Sequence, residues 1–470
     1  MYEDRSIKTK ISNDVKAGVW YTVGNFVSRG IAFLSTPVFT RLLSKEDYGE
    51  FSNFTAWATL IVVITSLDMY ASINRAYQDY EDDFDTYMST ISWVSITFSA
   101  LCYLTVWILR DWAVNVFGMN FLYINMLFIY LLFSPASQLF LTWQRIRGKY
   151  KYAIFVSVGS ALLSLILSYV MVMTFQDKLW GRVLGYVLPI VMINAVIYGF
   201  LIFRGRAFAI EKVKYAMMIA VPLIPHHLSA SILAKSDQFM IKKFCGNVDL
   251  AVYSFAYDCS LAVSILGTSV NQAYIPWLYR KLRENDFSEI NTQARRLLVL
   301  FLALILGVML IGPEVVYIMG GGKYAASVYM LPIIMTGYCF RFLYTYYANL
   351  ELYCKKSVVI SAATIIAAGI NVGLNLLWIP KYGYDAAAVS TTIGFAVLYV
   401  LHYFGVRRTP YRNLYHHKKL LLIVLAFIIC SLLVIWLYDK TTLRRCAIAF
   451  YIFVAGNAAY KFLHDTCKLF

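Results

Sequence analysis

The chain is a succession of apolar stretches, each long enough to cross a lipid bilayer as a helix. A hydrocarbon core of about 30 Å requires roughly 17–25 helical residues. Because the stretches are continuously apolar and do not alternate, they predict helices rather than the strands of a barrel. We place fourteen spans at residues 17–39, 50–73, 88–109, 116–143, 153–175, 181–203, 214–236, 249–273, 295–318, 325–350, 358–378, 385–405, 419–438 and 444–463.

The composition agrees with an all-α polytopic membrane protein. Apolar residues make up 60% of the chain and charged residues 14%, against roughly 45–50% and about 25% in ordinary globular domains. A soluble fold could not cover this much apolar surface, and a disordered chain would be far more polar. The connections are short, so no soluble domain is expected between the spans. The polar N-terminus, residues 1–16, does not resemble a cleavable signal peptide.

Lysine and arginine are unequally distributed between the predicted loops. The loops on the side of the N-terminus hold more than twice as many as the loops on the other side. The positive-inside rule therefore predicts a cytoplasmic N-terminus, and an even number of spans returns the C-terminus to the cytoplasm. The formal net charge of +16 then lies beside anionic headgroups, and no nucleic-acid partner is expected.

Short segments of the chain recur about 200 residues apart, which corresponds to six helices. We predict two parallel six-helix bundles, residues 17–205 and 206–410, followed by two appended helices in residues 411–470. Parallel repeats around a central cavity are typical of transporters that work by alternating access, although a duplication without transport is the alternative. The matching segments are 72–77 with 269–274, 39–52 with 239–254, and 178–181 with 381–383.

Charged side chains inside the predicted spans are candidates for function, because each costs at least about 2.5–3.5 kcal/mol to insert. The basic ones are Arg29, Lys235 and Arg341. Asp68, Asp258 and Glu351 are the acidic candidates, and we predict that they couple transport to an ion gradient.

Two arginines have neighbours that suit an anionic, sugar-bearing ligand. Arg29 lies on one helix face with polar residues that include Asn25, and Tyr338 and Tyr344 flank Arg341 at helical spacing. Arginine offers a forked donor to phosphate oxygens, and tyrosine offers a flat face to sugar rings. We therefore predict a central substrate site of six residues: Arg29, Asn25, Arg341, Tyr338, Tyr344 and Lys235.

Pro222 and Pro225 fall inside the seventh predicted span. Two prolines so close together predict a kinked or broken helix, and such breaks occur at the substrate sites and gates of transporters. We predict a gate or hinge at these two residues.

Each candidate also has a purely structural interpretation. Arg29 can instead form an ion pair with Asp68 or Asp258, and Lys235 can extend to the membrane interface. Glu351 can be a solvated helix end, and the aromatic residues can form an interfacial belt.

Enzyme chemistry is not expected. The eight cysteines form no C-x-x-C pair, and the six histidines have no metal-ligand spacing. The segment Gly320–Lys323 lacks the frame of a phosphate-binding loop. We predict neither a metal nor a cofactor.

Four short motifs resemble the polysaccharide-exporter branch of the multidrug/oligosaccharidyl-lipid/polysaccharide transporter superfamily, which contains the Wzx-type O-antigen flippases. The similarity extends over residues 15–405. The motifs are Phe39–Leu43 with Tyr48-Gly49, Asp237–Ile241 with Tyr253-Ser254, Gly322–Tyr324, and Gly383–Ala388. Asp385 and Arg75 depart from the family pattern.

The resemblance implies a monomeric, V-shaped, MATE-like pair of bundles in a bacterial inner membrane. Its cargo would be an undecaprenyl-pyrophosphate-linked oligosaccharide used for O-antigen, capsule or exopolysaccharide, with glycosyltransferases and a polymerase as partners. The alternatives are a multidrug or cation antiporter of the related branch, and a flippase for lipid II or a teichoic-acid precursor. A membrane-embedded glycosyltransferase is less compatible with the sequence, because such enzymes carry a large extramembrane loop.

Overall fold

The computed structural model of the protein describes residues 23–24 and 26–467, with side chains up to residue 457. Within these residues the secondary structure is helical, with no strand. Helix α1 occupies residues 26–42. The helices that follow are α2 Lys45–Thr65, α3 Ile73–Asp79, α4 Phe84–Ile108, α5 Arg110–Phe117, α6 Phe121–Phe133, α7 Pro135–Ile146, α8 Tyr150–Thr174, α9 Lys178–Gly205, α10 Ile210–Ala220, α11 Ile224–Cys245, α12 Asn247–Arg283, α13 Ile290–Leu310, α14 Gly312–Gly320, α15 Met330–Tyr353, α16 Ser357–Tyr382, α17 Tyr384–Val406, α18 His417–Leu437 and α19 Thr441–Cys467.

The helices confirm an all-α protein with many membrane-spanning segments. Among the described residues, eleven helices are long and apolar enough to cross a membrane. The number is up to twelve if α2 and the bent segment Met69–Asp79 form one span, with an angle of 52° between them. Each predicted span overlaps a helix or a pair of helices. The count of fourteen stays a prediction.

The described chain divides into two compact units. The first comprises the described residues up to Ser254 together with Thr364–Ala387, and the second comprises Phe255–Ala363 with the residues from Ala388 onward. Among its described residues, one apolar core lies between α2, α4, α5, α6 and α9, and another lies between α3, α4, α7, α9 and α10. The predicted halves, 17–205 and 206–410, stay a prediction.

In the second unit, α13 packs against α15, α18 and α19. Tyr346 on α15 donates a hydrogen bond to the carbonyl oxygen of Ala294 on α13, over 2.9 Å. The guanidinium of Arg444 forms a forked pair with Glu314, at 2.6 and 2.7 Å, which links α19 to the start of α14. The first of these contacts joins two helices that line the cavity described below.

Two helix breaks in the described part of the first unit involve residues singled out from the sequence. The chain turns between α2 and α3 at Leu67 and Asp68, which adopt the left-handed conformation with φ of 50° and 54°. Non-glycine residues rarely adopt it, because Cβ meets the backbone. The second break is a 3-10 turn, Val221–Leu223, between α10 and α11. It confirms the interruption predicted from Pro222 and Pro225, whereas their role as a gate or hinge stays a prediction.

Helices α8 and α9 approach closely at two glycines. Gly181 and Gly185, four residues apart on α9, face the backbone of α8 at Met171 and Ser168. A Cβ atom at either position would collide with that backbone. Small residues at this spacing let membrane helices come into direct backbone contact.

Replacing Gly185 by alanine is therefore expected to destabilise the protein by about 1–3 kcal/mol, the usual range for overpacking. The thermal unfolding midpoint of the purified protein in detergent measures this. Gly199 on α9 and Gly159 on α8 are matched controls, since a Cβ added at either would have no neighbouring atom within 4 Å. Alanine at these two should leave the midpoint unchanged or raise it, because alanine favours helix. An equal midpoint for Gly185→Ala and the controls would contradict the close approach.

Candidate functional site

The second unit contains a cavity of about 180 Å³ between α12, α13 and α15. Arg341 on α15 lies in its wall and donates a hydrogen bond from Nη1 to the Ser264 hydroxyl oxygen, at 3.3 Å. The guanidinium carbon of Arg341 lies 5.9 Å from the ring centroid of Tyr338 and 5.8 Å from that of Phe395. A cation therefore lies beside aromatic faces in a cavity that also holds hydroxyl and amide groups.

Helical periodicity explains why these residues meet. Residues three, four and seven positions apart share one helix face. The face of α15 towards the cavity and the face of α12 opposite both follow this spacing. They carry Tyr338, Arg341, Phe342 and Thr345 on α15, and Ser264, Gly267, Thr268 and Asn271 on α12.

Three of the six predicted substrate-site residues, Arg341, Tyr338 and Tyr344, thus line one cavity, and their role in substrate binding stays a prediction. The face of α12 was not anticipated, because nothing in the sequence indicates which helix lies opposite. Asn271 on this face accepts a hydrogen bond from the side-chain amide of Asn349, over 2.9 Å. The cavity can accordingly offer a ligand one cation, several neutral hydrogen-bonding groups and aromatic faces.

A buried carboxylate–imidazole pair adjoins this cavity. Glu351 Oε2 on α15 lies 2.5 Å from His402 Nδ1 on α17, and both side chains are buried. The second carboxylate oxygen of Glu351 has no hydrogen-bond partner in the described chain. Gly405 allows this approach, because a Cβ there would collide with the Glu351 carboxylate. The interpretation of Glu351 as a solvated helix end is therefore wrong.

Tyr344 joins the pair to the cavity. Its ring stacks on the His402 imidazole, with centroids 5.4 Å apart and 19° between the planes, and Tyr344 also lines the cavity. Tyr344 therefore contacts both the buried pair and the cavity whose wall contains Arg341.

The first unit contains a second pair of the same kind. Asp68 Oδ2, at the corner between α2 and α3, lies 2.6 Å from His227 Nδ1 on α11. Asp68 is buried, and its other oxygen has no hydrogen-bond partner in the described part of the chain. Tyr70 stacks on the His227 ring at a centroid distance of 6.2 Å. A carboxylate, an imidazole and a stacked tyrosine thus occur in each unit.

The other predicted charged residues that the structure describes are not part of the lining of the Arg341 cavity. Arg29 is on α1 with an exposed side chain, and Asn25 lies outside the described residues. Lys235 is half-buried and donates to Gln238 Oε1 over 3.4 Å. Asp258 on α12 is half-buried. Arg29 and Lys235 belong to the first unit, whereas Arg341 belongs to the second.

Arg182 is a buried arginine that the sequence analysis did not single out. Arg182 on α9 lies between the rings of Phe39 and Phe51, with its guanidinium carbon 3.7 and 4.2 Å from their centroids. Its Nη1 donates to the Ser168 hydroxyl oxygen over 2.7 Å. Its position just inside the predicted span 181–203 was the available signal. Within the described residues, no group of three or more metal-ligating side chains could hold a metal ion.

Comparison with solved structures defines the class of fold. A structure described as lipid II flippase MurJ in an inward closed conformation matches with a TM-score of 0.76, covering 95% of this chain and 99% of that chain at 15% identity. An inward-facing multidrug resistance MATE family transporter of the MOP superfamily matches with a TM-score of 0.62, covering 86% and 95% at 14% identity. The protein is a multi-pass membrane protein with a MurJ/MATE-like fold.

Sequence comparison defines the family. The family described as polysaccharide biosynthesis protein matches residues 15–282, more than half of the chain. The chain belongs to this polysaccharide biosynthesis protein family. A protein of Haemophilus influenzae named "uncharacterized membrane protein" is 24% identical over 380 residues, which cover 76% of this chain and 89% of that protein. The resemblance drawn from the short motifs is confirmed at the level of family and fold.

Proposed function

We propose that the protein is a flippase that moves an undecaprenyl-pyrophosphate-linked oligosaccharide from the cytoplasmic to the periplasmic leaflet of a bacterial inner membrane. In this proposal both termini are cytoplasmic, and the two six-helix halves alternate access to a central site. The cargo crosses without chemical change, so the protein is a transporter and not an enzyme. Glycosyltransferases would supply the cargo and a polymerase would consume it.

The observation that carries the proposal is Arg341 in a cavity lined by aromatic, hydroxyl and amide side chains. A guanidinium presents parallel N–H donors that fit the oxygens of a diphosphate. Tyr338 and Tyr344 offer faces to a sugar ring, while Asn271 and Thr268 can hydrogen-bond to its hydroxyl groups. An organic cation, the cargo of the related drug antiporters, would be repelled by Arg341. Membership of the polysaccharide biosynthesis protein family supports the same cargo class.

The two carboxylate–imidazole pairs suit coupling to a proton gradient. A buried carboxylate and imidazole at hydrogen-bond distance can exist as an ion pair or, after losing a proton from the imidazole, as a buried anion with a neutral partner. The second form leaves an uncompensated charge in a low-dielectric interior, which favours rearrangement of the helices. We propose Glu351 and Asp68 as the coupling groups, with Asp258 as the third candidate.

The experiment that tests the function uses a strain in which the gene is deleted. Undecaprenyl-linked oligosaccharide is quantified, and its leaflet is determined by adding a glycan-binding probe to spheroplasts. We expect the oligosaccharide to accumulate where the probe cannot reach it, together with loss of surface polysaccharide. The gene restored in trans should reverse both effects.

Other outcomes would contradict the proposal in distinct ways. Normal polysaccharide with raised sensitivity to cationic dyes would indicate a drug antiporter. Accumulation of a peptidoglycan or teichoic-acid precursor would retain the flippase and change its cargo. Oligosaccharide that is lacking altogether, rather than retained inside, would indicate a step in its synthesis.

A further inference from the structure

A second cavity lies in the first unit, remote in sequence from the Arg341 cavity, where α7 turns into α8 and α9 approaches its end. Its volume is about 430 Å³, and it combines aromatic and cationic side chains. In the topology predicted from the loop charges, this end of the helices faces the cytoplasm. The lining residues that matter are Phe140, Trp143, Arg147, Tyr152, Phe200 and Arg204.

The floor of the cavity carries a net positive charge. Arg147 Nη2 lies 3.2 Å from one oxygen of Asp85, and Arg204 Nε lies 2.7 Å from the other. One carboxylate therefore holds two guanidinium groups and compensates the charge of one of them. Lys149, also in the lining, is exposed and adds a further positive charge at the mouth. Without Lys149, the two arginines and Asp85 leave one positive charge, which matches the one negative charge of a phosphodiester.

The arginines are fixed in position by aromatic rings. The guanidinium carbon of Arg147 lies 4.6 Å from the Trp143 ring centroid, and that of Arg204 lies 5.4 Å from it and 5.9 Å from the Phe200 centroid. These contacts hold both guanidinium groups beside the cavity, where an anionic ligand can reach them.

The rim of the cavity is apolar and faces outward from the unit. Val196 is 73% exposed and Tyr152 61%, and these side chains lie on helices that cross the membrane. Such a surface contacts acyl chains, whereas the cationic floor lies at the interface. A ligand that fills both parts has an anionic head and apolar chains.

We propose that this cavity binds an anionic phospholipid of the cytoplasmic leaflet, with its phosphodiester between Arg147 and Arg204 and its acyl chains along Val196 and Phe200. The proposal is independent of the transported cargo, because it concerns other residues. A resident lipid here would brace the α7–α8 turn against the end of α9.

Native mass spectrometry tests the proposal. The purified full chain is titrated with phosphatidylglycerol and, in a parallel experiment, with phosphatidylcholine. The wild type is expected to bind one phosphatidylglycerol in preference to phosphatidylcholine. The triple variant Asp85→Asn, Arg147→Gln, Arg204→Gln removes the ion network without leaving an unpaired carboxylate. We expect it to bind phosphatidylglycerol about 5-fold more weakly, since it removes one net positive charge, and each such charge near an anionic headgroup contributes about 1 kcal/mol.

The matched control is the double variant Lys151→Gln, Arg206→Gln. It removes two exposed cations from the same end of the helices without touching the cavity lining. Its affinity should stay near that of the wild type, and thermal unfolding of every variant establishes that the comparison is between folded proteins. A second, milder variant, Trp143→Phe, keeps the ion network and should weaken binding to a smaller extent.

Three results would overturn the proposal. One is equal binding of phosphatidylglycerol and phosphatidylcholine by the wild type. Another is an equal loss of affinity in the control and the triple variant. The third is displacement of phosphatidylglycerol by undecaprenyl phosphate at a concentration lower than that at which phosphatidylglycerol itself fills the site. Such tighter binding would assign the cavity to the cargo.

Discussion

Replacing Arg341 by alanine is expected to reduce transport of the lipid-linked oligosaccharide about 100-fold while leaving the protein folded. The guanidinium of Arg341 lies in the wall of the Arg341 cavity, and the side chain is exposed. Within the described chain it forms no ion pair with a carboxylate. Removing one partner of a close charged contact usually costs about 2–5 kcal/mol of binding free energy. A 100-fold change corresponds to about 2.8 kcal/mol, which lies within this range. The rate at which a periplasmic probe gains access to the oligosaccharide measures the effect.

The controls separate charge, geometry and folding. Arg341→Lys keeps the positive charge and loses the paired N–H donors of the guanidinium, so we expect a transport rate between those of the wild type and Arg341→Ala. Arg412→Ala removes an exposed arginine from the loop before α18 and should transport normally. Arg29→Ala is expected to abolish transport as well. Wild-type rates for both Arg29→Ala and Arg341→Ala would disprove the assignment of these residues to the substrate site.

Replacing Glu351 by alanine is expected to destabilise the protein by about 3–5 kcal/mol, the range for breaking a buried ionic pair from one side. His402 would then be buried without its partner, and the close contact of α15 with Gly405 would become a void. The unfolding midpoint in detergent and the yield of monodisperse protein measure the loss.

Removing both members of the pair should be milder than removing one. The double variant Glu351→Gln, His402→Gln keeps polar side chains of similar size without charge, so we expect most of the stability to return. This folded variant should also transport at a rate that responds less to an imposed pH gradient than the wild-type rate does, since only the Asp68–His227 pair remains. Additive losses for the two single variants would show that the side chains do not interact. A response to the gradient as large as that of the wild type would remove Glu351 from the coupling groups.

The helices could be predicted well from the sequence, because continuous apolar runs of the right length leave few alternatives. Tyr338, Arg341 and Tyr344 could also be placed together, since their spacing along one helix fixes them on neighbouring positions. Ser264 and Asn271 could not be anticipated in the same way, because the helix that faces α15 is decided by packing.

The histidines show a second limit of what can be predicted from the sequence. His227 and His402 lack metal-binding spacing in the sequence, yet each lies against a carboxylate far away in the chain. Asp68 and His227 are 159 residues apart, and Glu351 and His402 are 51 apart. Only the tertiary structure brings such pairs to hydrogen-bond distance. The burial of Glu351 likewise depends on the approach of Gly405, which no local pattern in the sequence indicates.

The bend at Leu67 and Asp68 restricts which residues homologues can carry at these two positions. Two successive non-glycine residues in the left-handed region each cost about 1–2 kcal/mol, so the surrounding contacts must compensate for both. Valine, isoleucine or threonine at either position would add crowding at Cβ, whereas glycine or asparagine would relax the backbone. Homologues that preserve the bend should therefore follow two separate solutions. Some keep an acid at 68 with its histidine at 227, and others replace the acid by glycine and are free to lose that histidine.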